Sequence, residues 1–153
     1  MNLLQNEAEQ NQLLITFQLG DSVFAIPSDQ VQEVVKPSLF TPVHHAPDYV
    51  LGIRNLRGRV VTLIDLSVRL GLGEALECPD NRVLIVAWRH EIVGLLVDRI
   101  ADTVAITPDA VQDVPANLHD VRADSLTGIT RQGERTIAIL NLDAVLAMSK
   151  ERN

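Results

Sequence analysis

The chain has 153 residues, 46% of them hydrophobic and 22% charged, and its 20 acidic and 13 basic side chains leave a net charge of −7. A chain of this length buries about two thirds of its unfolded surface and needs no disulfide or metal to stay folded, and its apolar content excludes a disordered segment. The negative balance argues against a surface that grips nucleic acid or an anionic membrane as a whole, because such binding needs clustered cations.

Aromatic residues make up only 3% of the chain, so the core must be built from Val, Ile and Leu, whose β-branched members favour pleated strands. The single cysteine, Cys78, cannot form an internal disulfide, and a reducing compartment fits. Met1 to Gln12 lack a basic start followed by a long apolar run, and no later apolar stretch approaches the roughly 18 residues that span a bilayer. A cytoplasmic location is the expectation.

In chain order, Leu13–Leu19 and Val23–Ile26 flank Gly20-Asp21-Ser22, the composition of a tight hairpin. A strand follows at Val31–Val35, and Pro37, Pro42 and Pro47 then enforce a long loop. Gly52-Ile53-Arg54-Asn55-Leu56-Arg57-Gly58 reads as a glycine-punctuated turn carrying arginines. It leads into Val60–Ile64, an apolar run expected to be covered on both faces. Asp65 is suited to cap a short helix through Leu66 and Leu70 that ends at Gly71 and Gly73. After a polar connector over Glu74–Asn81, a second hairpin is predicted from Val83–Trp88, a turn at Arg89-His90-Glu91, and Ile92–Val97.

The pattern then repeats. An offset of 69 places Phe24 on Val93, Ile26 on Leu95, Val31 on Ile100 and Glu33 on Asp102. An offset of 76 places Gly52 on Gly128, Leu63 on Ile139, Asp65 on Asn141 and Leu66 on Leu142. Each half supplies about 65 residues and some five strands, a size at which an isolated barrel is only marginally stable, so the halves should share an apolar seam.

Chemistry is sparse. No serine stands in a nucleophile-elbow context. The adjacent His44 and His45 diverge on an extended chain and so lack metal-ligand spacing; they suit either a solvated loop or a partner contact. Asp98 suits a local turn hydrogen bond or ion pair better than acid–base work. Arg54, Arg57 and Arg59 concentrate positive charge in an acidic chain. Two readings of them stay open: docking of an anionic or carbonyl-rich partner surface, and an internal pair with Glu33 or another acid. Single-stranded nucleic acid is disfavoured as a ligand, because one Trp, one Tyr and three Phe leave too few stacking platforms.

The segments Phe17-Gln18-Leu19-Gly20, Val31-Gln32-Glu33-Val34, Gly52 to Gly58, Ile64-Asp65-Leu66 and Val93-Gly94-Leu95-Leu96-Val97-Asp98 together resemble the CheW family, adaptors of bacterial chemotaxis arrays, and the homologous regulatory domain of the CheA kinase. The likeness runs from Leu13 to Met148. It implies an all-β fold of two intertwined five-stranded SH3-like barrels sharing a hydrophobic core, with short helices after Asp65 and near the C-terminus. Tails are expected at 1–12 and 149–153 around one domain over 13–148, whose pseudo-repeats, about 13–73 and 82–148, can exchange strands. The resemblance further implies a non-catalytic, cofactor-free scaffold. Its partners would be a CheA-type histidine kinase regulatory domain and the cytoplasmic tip of a methyl-accepting chemoreceptor, with no nucleic acid and no membrane insertion. By the same resemblance Val31, Glu33, Gly52, Arg57, Gly58 and Val83 are protein-binding residues. The output, whether flagellar, pilus or gliding motility, is not named by the pattern.

Overall fold

Ten strands form two five-stranded sheets in the computed structural model, which describes residues 11–115 and 123–150, the side chains of 123 and 148–150 excepted. The strands are β1 (Gln12–Leu19), β2 (Ser22–Pro27), β3 (Val31–Val35), β4 (Val50–Leu56), β5 (Arg59–Asp65), β6 (Arg82–Trp88), β7 (Glu91–Val97), β8 (Arg99–Ile106), β9 (Leu126–Gln132) and β10 (Arg135–Leu140). Helix α1 covers Leu66–Arg69 and α2 covers Leu142–Lys150. The first strand therefore starts at Gln12 and the last helix runs to Lys150; the rest of the expected tails lies outside the described residues.

One sheet has the order β3-β6-β7-β5-β4 and the other β8-β1-β2-β10-β9. Residues 31–97 thus form one barrel, the central one, as a continuous stretch. The flanking barrel takes its first hairpin from before that stretch and its other three strands from after it. Among the described strands the chain crosses between barrels twice, through the turn Ser28–Gln30 and at Asp98. A cut at the connector 74–81 would divide the central sheet, so neither sequence half is a barrel.

The internal repeat has a structural counterpart at the level of register. The parallel pair Ala138 and Phe24 of β10 and β2 maps, by the two offsets, onto Thr62 and Val93 of β5 and β7. The caps match as well: Asp65 Oδ1 accepts from Val68 N at 3.2 Å, and Asn141 Oδ1 accepts from Ala144 N at 3.1 Å. Such caps satisfy amide donors that a helix start leaves orphaned.

Strand residues run apolar without clean alternation because both faces are covered. In β2, Val23 and Ala25 point into the flanking barrel, whereas Phe24 and Ile26 join a larger cluster between the barrels. In β6, Val83 and Ile85 fill the central barrel while Leu84, Val86 and Trp88 face the seam. The seam also receives Leu142, Val145 and Leu146 of α2, and Trp88 Nε1 donates to Asp143 Oδ1 at 2.8 Å, tying that helix to the β6–β7 hairpin. Thr16 is fully enclosed and satisfied locally: its hydroxyl accepts from Asp102 N at 2.8 Å and donates to Asp102 O at 2.9 Å, filling the break in the β1–β8 ladder.

Two expectations are corrected. The arginine-bearing turn is narrower than the sequence suggests, because Val50–Leu56 is strand and only Arg57 and Gly58, at φ 51° and 83°, make the two-residue connection. Gly52 does not break the strand; it admits a crossing segment, as described below. Val60 is 61% exposed, since it sits beside the hairpin end where no described residue covers its outward face.

Candidate docking site

β3 and β4 are opposite edges of the central sheet, yet two arginines of the β4–β5 hairpin reach from one edge to the other. The Arg57 guanidinium pairs with the Glu33 carboxylate, and Arg54 Nη1 donates to Lys36 O at 3.2 Å. A flat sheet could not make these contacts, so they fasten the barrel closed. The positive φ values at Arg57 and Gly58 aim the turn, and Asn55 Oδ1 accepting from Gly58 N at 2.8 Å pins it. Of the two readings left open for the arginines, the internal pair with Glu33 is formed. It stays wet, with side-chain exposures of 67% and 33% for Arg57 and Glu33, so it contributes at most about 1 kcal/mol and remains reachable by a partner. Arg59 makes no ion pair among the described residues.

The other residues expected to bind proteins sit deeper. Val31 is half-buried against the seam. Val83 is 2% exposed inside the central barrel. Gly52 is buried beneath the loop: Thr41 and Ile53 exchange two backbone hydrogen bonds of 2.8 Å there, and a Cβ on Gly52 would lie 2.3 Å from Thr41 O. Gly128 does the same under Gln112, with 2.6 Å to its carbonyl. Glu33, Arg57 and Gly58 therefore present surface, while Gly52 and Val83 set the shape beneath it.

Two surface features were not legible in the sequence. A cleft of about 350 Å³ lies where the barrels meet, lined by Val34, Asp80, Arg82, Arg99 and Ile100; Val34 is 42% exposed although it stands in an apolar strand. A second cleft of about 540 Å³ runs along the outer edge of β4, which Thr41 bridges at Ile53, and Leu39, Phe40, Ile53 and Val60 leave apolar surface open there beside Arg54. His44 and His45 are exposed in the same long loop, and Asp98 Oδ2 accepts from Gly20 N at 2.7 Å, a turn contact. Among the described residues no group of three His, Cys, Asp or Glu is placed to hold a metal, and no helix is long and apolar enough to cross a membrane.

Residues 13–150 match the family model described as CheW-like domain. The chain is 36% identical to Chemotaxis protein CheW of Helicobacter pylori, over 93% of this chain and 86% of that protein. It is 37% identical to the protein of the same name from Rhizobium meliloti, over 91% and 89%. Protein FrzA of Myxococcus xanthus is 26% identical over 97% of this chain and 94% of its own length. Among solved structures, the scaffolding protein TtCheW from Thermoanaerobacter tengcongensis superposes with a TM-score of 0.80 at 27% identity, covering 86% of this chain and 84% of that one.

Proposed function

Since the chain belongs to the CheW-like family, we propose that it is a non-catalytic adaptor that couples chemoreceptors to a CheA-type histidine kinase in the cytoplasm. The observation carrying this reading is the likeness, nearly end to end, to chemotaxis proteins and to a scaffolding protein of the same fold. The inter-barrel cleft at Val34, with Glu33 on the same strand, would receive the helical receptor tip. The cleft at the outer edge of β4, with Leu39, Phe40 and Val60 beside the Arg57–Gly58 turn, would receive the regulatory domain of the kinase. In this assignment Gly52 and Val83 support the docking surfaces from below, and Val31 and Glu33 fix the strand between them.

An adaptor alters kinase output only through affinity that differs between the kinase's states, by a coupling of about 1–3 kcal/mol. Two docking sites on barrels that share one buried core would hold receptor and kinase in one complex, where a receptor state that shifts the adaptor would favour one state of the kinase. The test is reconstitution of the full chain with a receptor signalling fragment and a kinase. A ternary complex whose kinase activity depends on this chain supports the reading, and failure to join receptor to kinase refutes it.

A second reading, an adaptor of a kinase pathway for pilus or gliding motility, draws on the likeness to FrzA, whose name is not a chemotaxis name. Co-purification from native cells, with the bound kinase identified, separates the two outputs.

A further inference from the structure

On the other side of the Leu39–Phe40 loop lies a third cleft, of about 800 Å³, which shares Leu39 and Phe40 with the surface assigned above to the kinase but has its own floor and its own charged rim. Its lining includes Leu51 of β4, Val68 of α1 and Leu96 of β7, all half-buried, with Leu39 and Phe40 overhanging. Leu39 is 92% exposed, a large apolar side chain left standing in water at the edge of an apolar concavity.

The charge around this cleft has one sign. Asp48 on the long loop and Glu74 and Glu77 on the connector line it, all three are exposed, and none forms an ion pair among the described residues. No Lys, Arg or His is among the described residues that line it. The fourth carboxylate, Asp65, is already committed, since Oδ1 accepts from Val68 N and Oδ2 from Ala75 N at 3.1 Å. It fixes the wall by joining helix to connector and leaves the other three free to face a ligand. Carboxylates gathered around a low-dielectric concavity focus a negative field and attract a cationic partner.

We propose that this cleft docks an extended cationic segment of a partner protein, one with Lys or Arg on both sides of a bulky apolar residue. The apolar side chain would seat between Leu39 and the Leu51–Val68–Leu96 floor, and the flanking cations would meet Asp48 on one segment and Glu74 and Glu77 on another. Volume fits such an anchor, as pockets for compact ligands span about 300–1,000 Å³. Two acidic segments separated along the chain favour a peptide with spaced cations over a single small cation.

The probe is a fluorescein-labelled octapeptide, Gly-Arg-Lys-Leu-Phe-Arg-Lys-Gly, titrated with the full chain by fluorescence anisotropy. Two comparison peptides replace Leu-Phe by Ser-Ser, or every cation by Glu. The parent peptide should bind at least tenfold more tightly than either, with affinity falling as salt is raised. The triple variant Asp48→Lys, Glu74→Lys, Glu77→Lys should lose at least tenfold while keeping the wild-type melting temperature. The control Asp29→Lys, Asp113→Lys, Glu134→Lys changes net charge equally at exposed sites elsewhere and should lose less than threefold. Equal loss in the control assigns the binding to net charge and overturns the proposal, as does equal binding of the Ser-Ser peptide. If the cleft triple melts early, Leu39→Ser replaces it, and undiminished binding there is also fatal. Self-association of the free chain in sedimentation, reversed by the peptide, would give the cleft to a second copy instead.

Discussion

Gly52→Ala tests how the long loop is held to the central barrel. An added Cβ would lie 2.3 Å from Thr41 O and 2.8 Å from Phe40 Cδ1, far inside contact distance, so the loop must retreat by about 1 Å or more to restore ordinary packing. The paired 2.8 Å hydrogen bonds between Thr41 and Ile53 would then stretch beyond useful length. Two bonds at about 0.5–1.5 kcal/mol each, with some Phe40 packing, put the cost at about 2–3 kcal/mol. For a domain of this size that lowers the melting temperature by roughly 4–12 °C. The retreat also displaces Leu39 and Phe40, which line two clefts, so kinase binding should fall even at temperatures where the variant is folded. Calorimetric melting and a kinase pull-down at 15 °C read the two effects. Gly128→Ala is the internal comparison: its overlap with Gln112 O is milder at 2.6 Å and it lacks the φ of 155° that adds backbone strain at Gly52, so it should cost less. A Gly52→Ala protein within about 0.5 kcal/mol of wild type that binds kinase normally would refute this account of the loop.

Val34→Asp should leave the far-ultraviolet circular dichroism spectrum intact and abolish receptor binding, whereas Val83→Asp, placing a carboxylate inside the central barrel, should unfold the chain; a folded Val83→Asp protein contradicts the burial assigned to it. A double-mutant cycle with Glu33→Gln and Arg57→Gln should give a coupling below about 1 kcal/mol in chemical denaturation, while Arg57→Ala, still folded, weakens receptor or kinase pull-down; unchanged pull-down removes Arg57 from the docking surface. Thr16→Val strands both backbone groups of Asp102 and should destabilise by about 2–4 kcal/mol in urea; a loss under about 0.5 kcal/mol would mean that the hydroxyl does not hold the ladder.

The hairpins at 19–22 and 88–91, the Asp65 cap and the doubled pattern were readable because each is local: turn composition, cap residue and spacing lie within a few positions. The two offsets hold in space because they preserve the ladder register of the parallel pairs. Pairing of β2 with β10 leaves no such trace, since nothing near Val23 announces Ile137, and only resemblance supplied the intertwined arrangement. The site was read less well for a related reason. Val34 and Val83 are identical in type and both lie in apolar strands, but one faces the inter-barrel cleft and the other a barrel interior, and sequence alone does not orient them. Gly52 looked like turn chemistry because a glycine that admits a crossing backbone and one that bends its own chain have the same signature. The Glu33–Arg57 pair was one of two open readings until the opposite sheet edges were brought together.

The central barrel's continuity has a consequence for synthesis on the ribosome. Its last strand ends at Val97, so it can close while the rest of the chain is still being translated. The opening hairpin, Gln12 to Pro27, meanwhile has both lateral edges bare and Phe17 and Phe24 without their final cover. Its neighbours, Arg99–Ile106 and Arg135–Leu140, emerge only after that barrel, and exposed edges of this kind invite pairing with other nascent chains. A release signal placed just after residue 97 should therefore yield a sticky product, and the vulnerable interval in the cell is the time between the emergence of Val97 and that of Leu140.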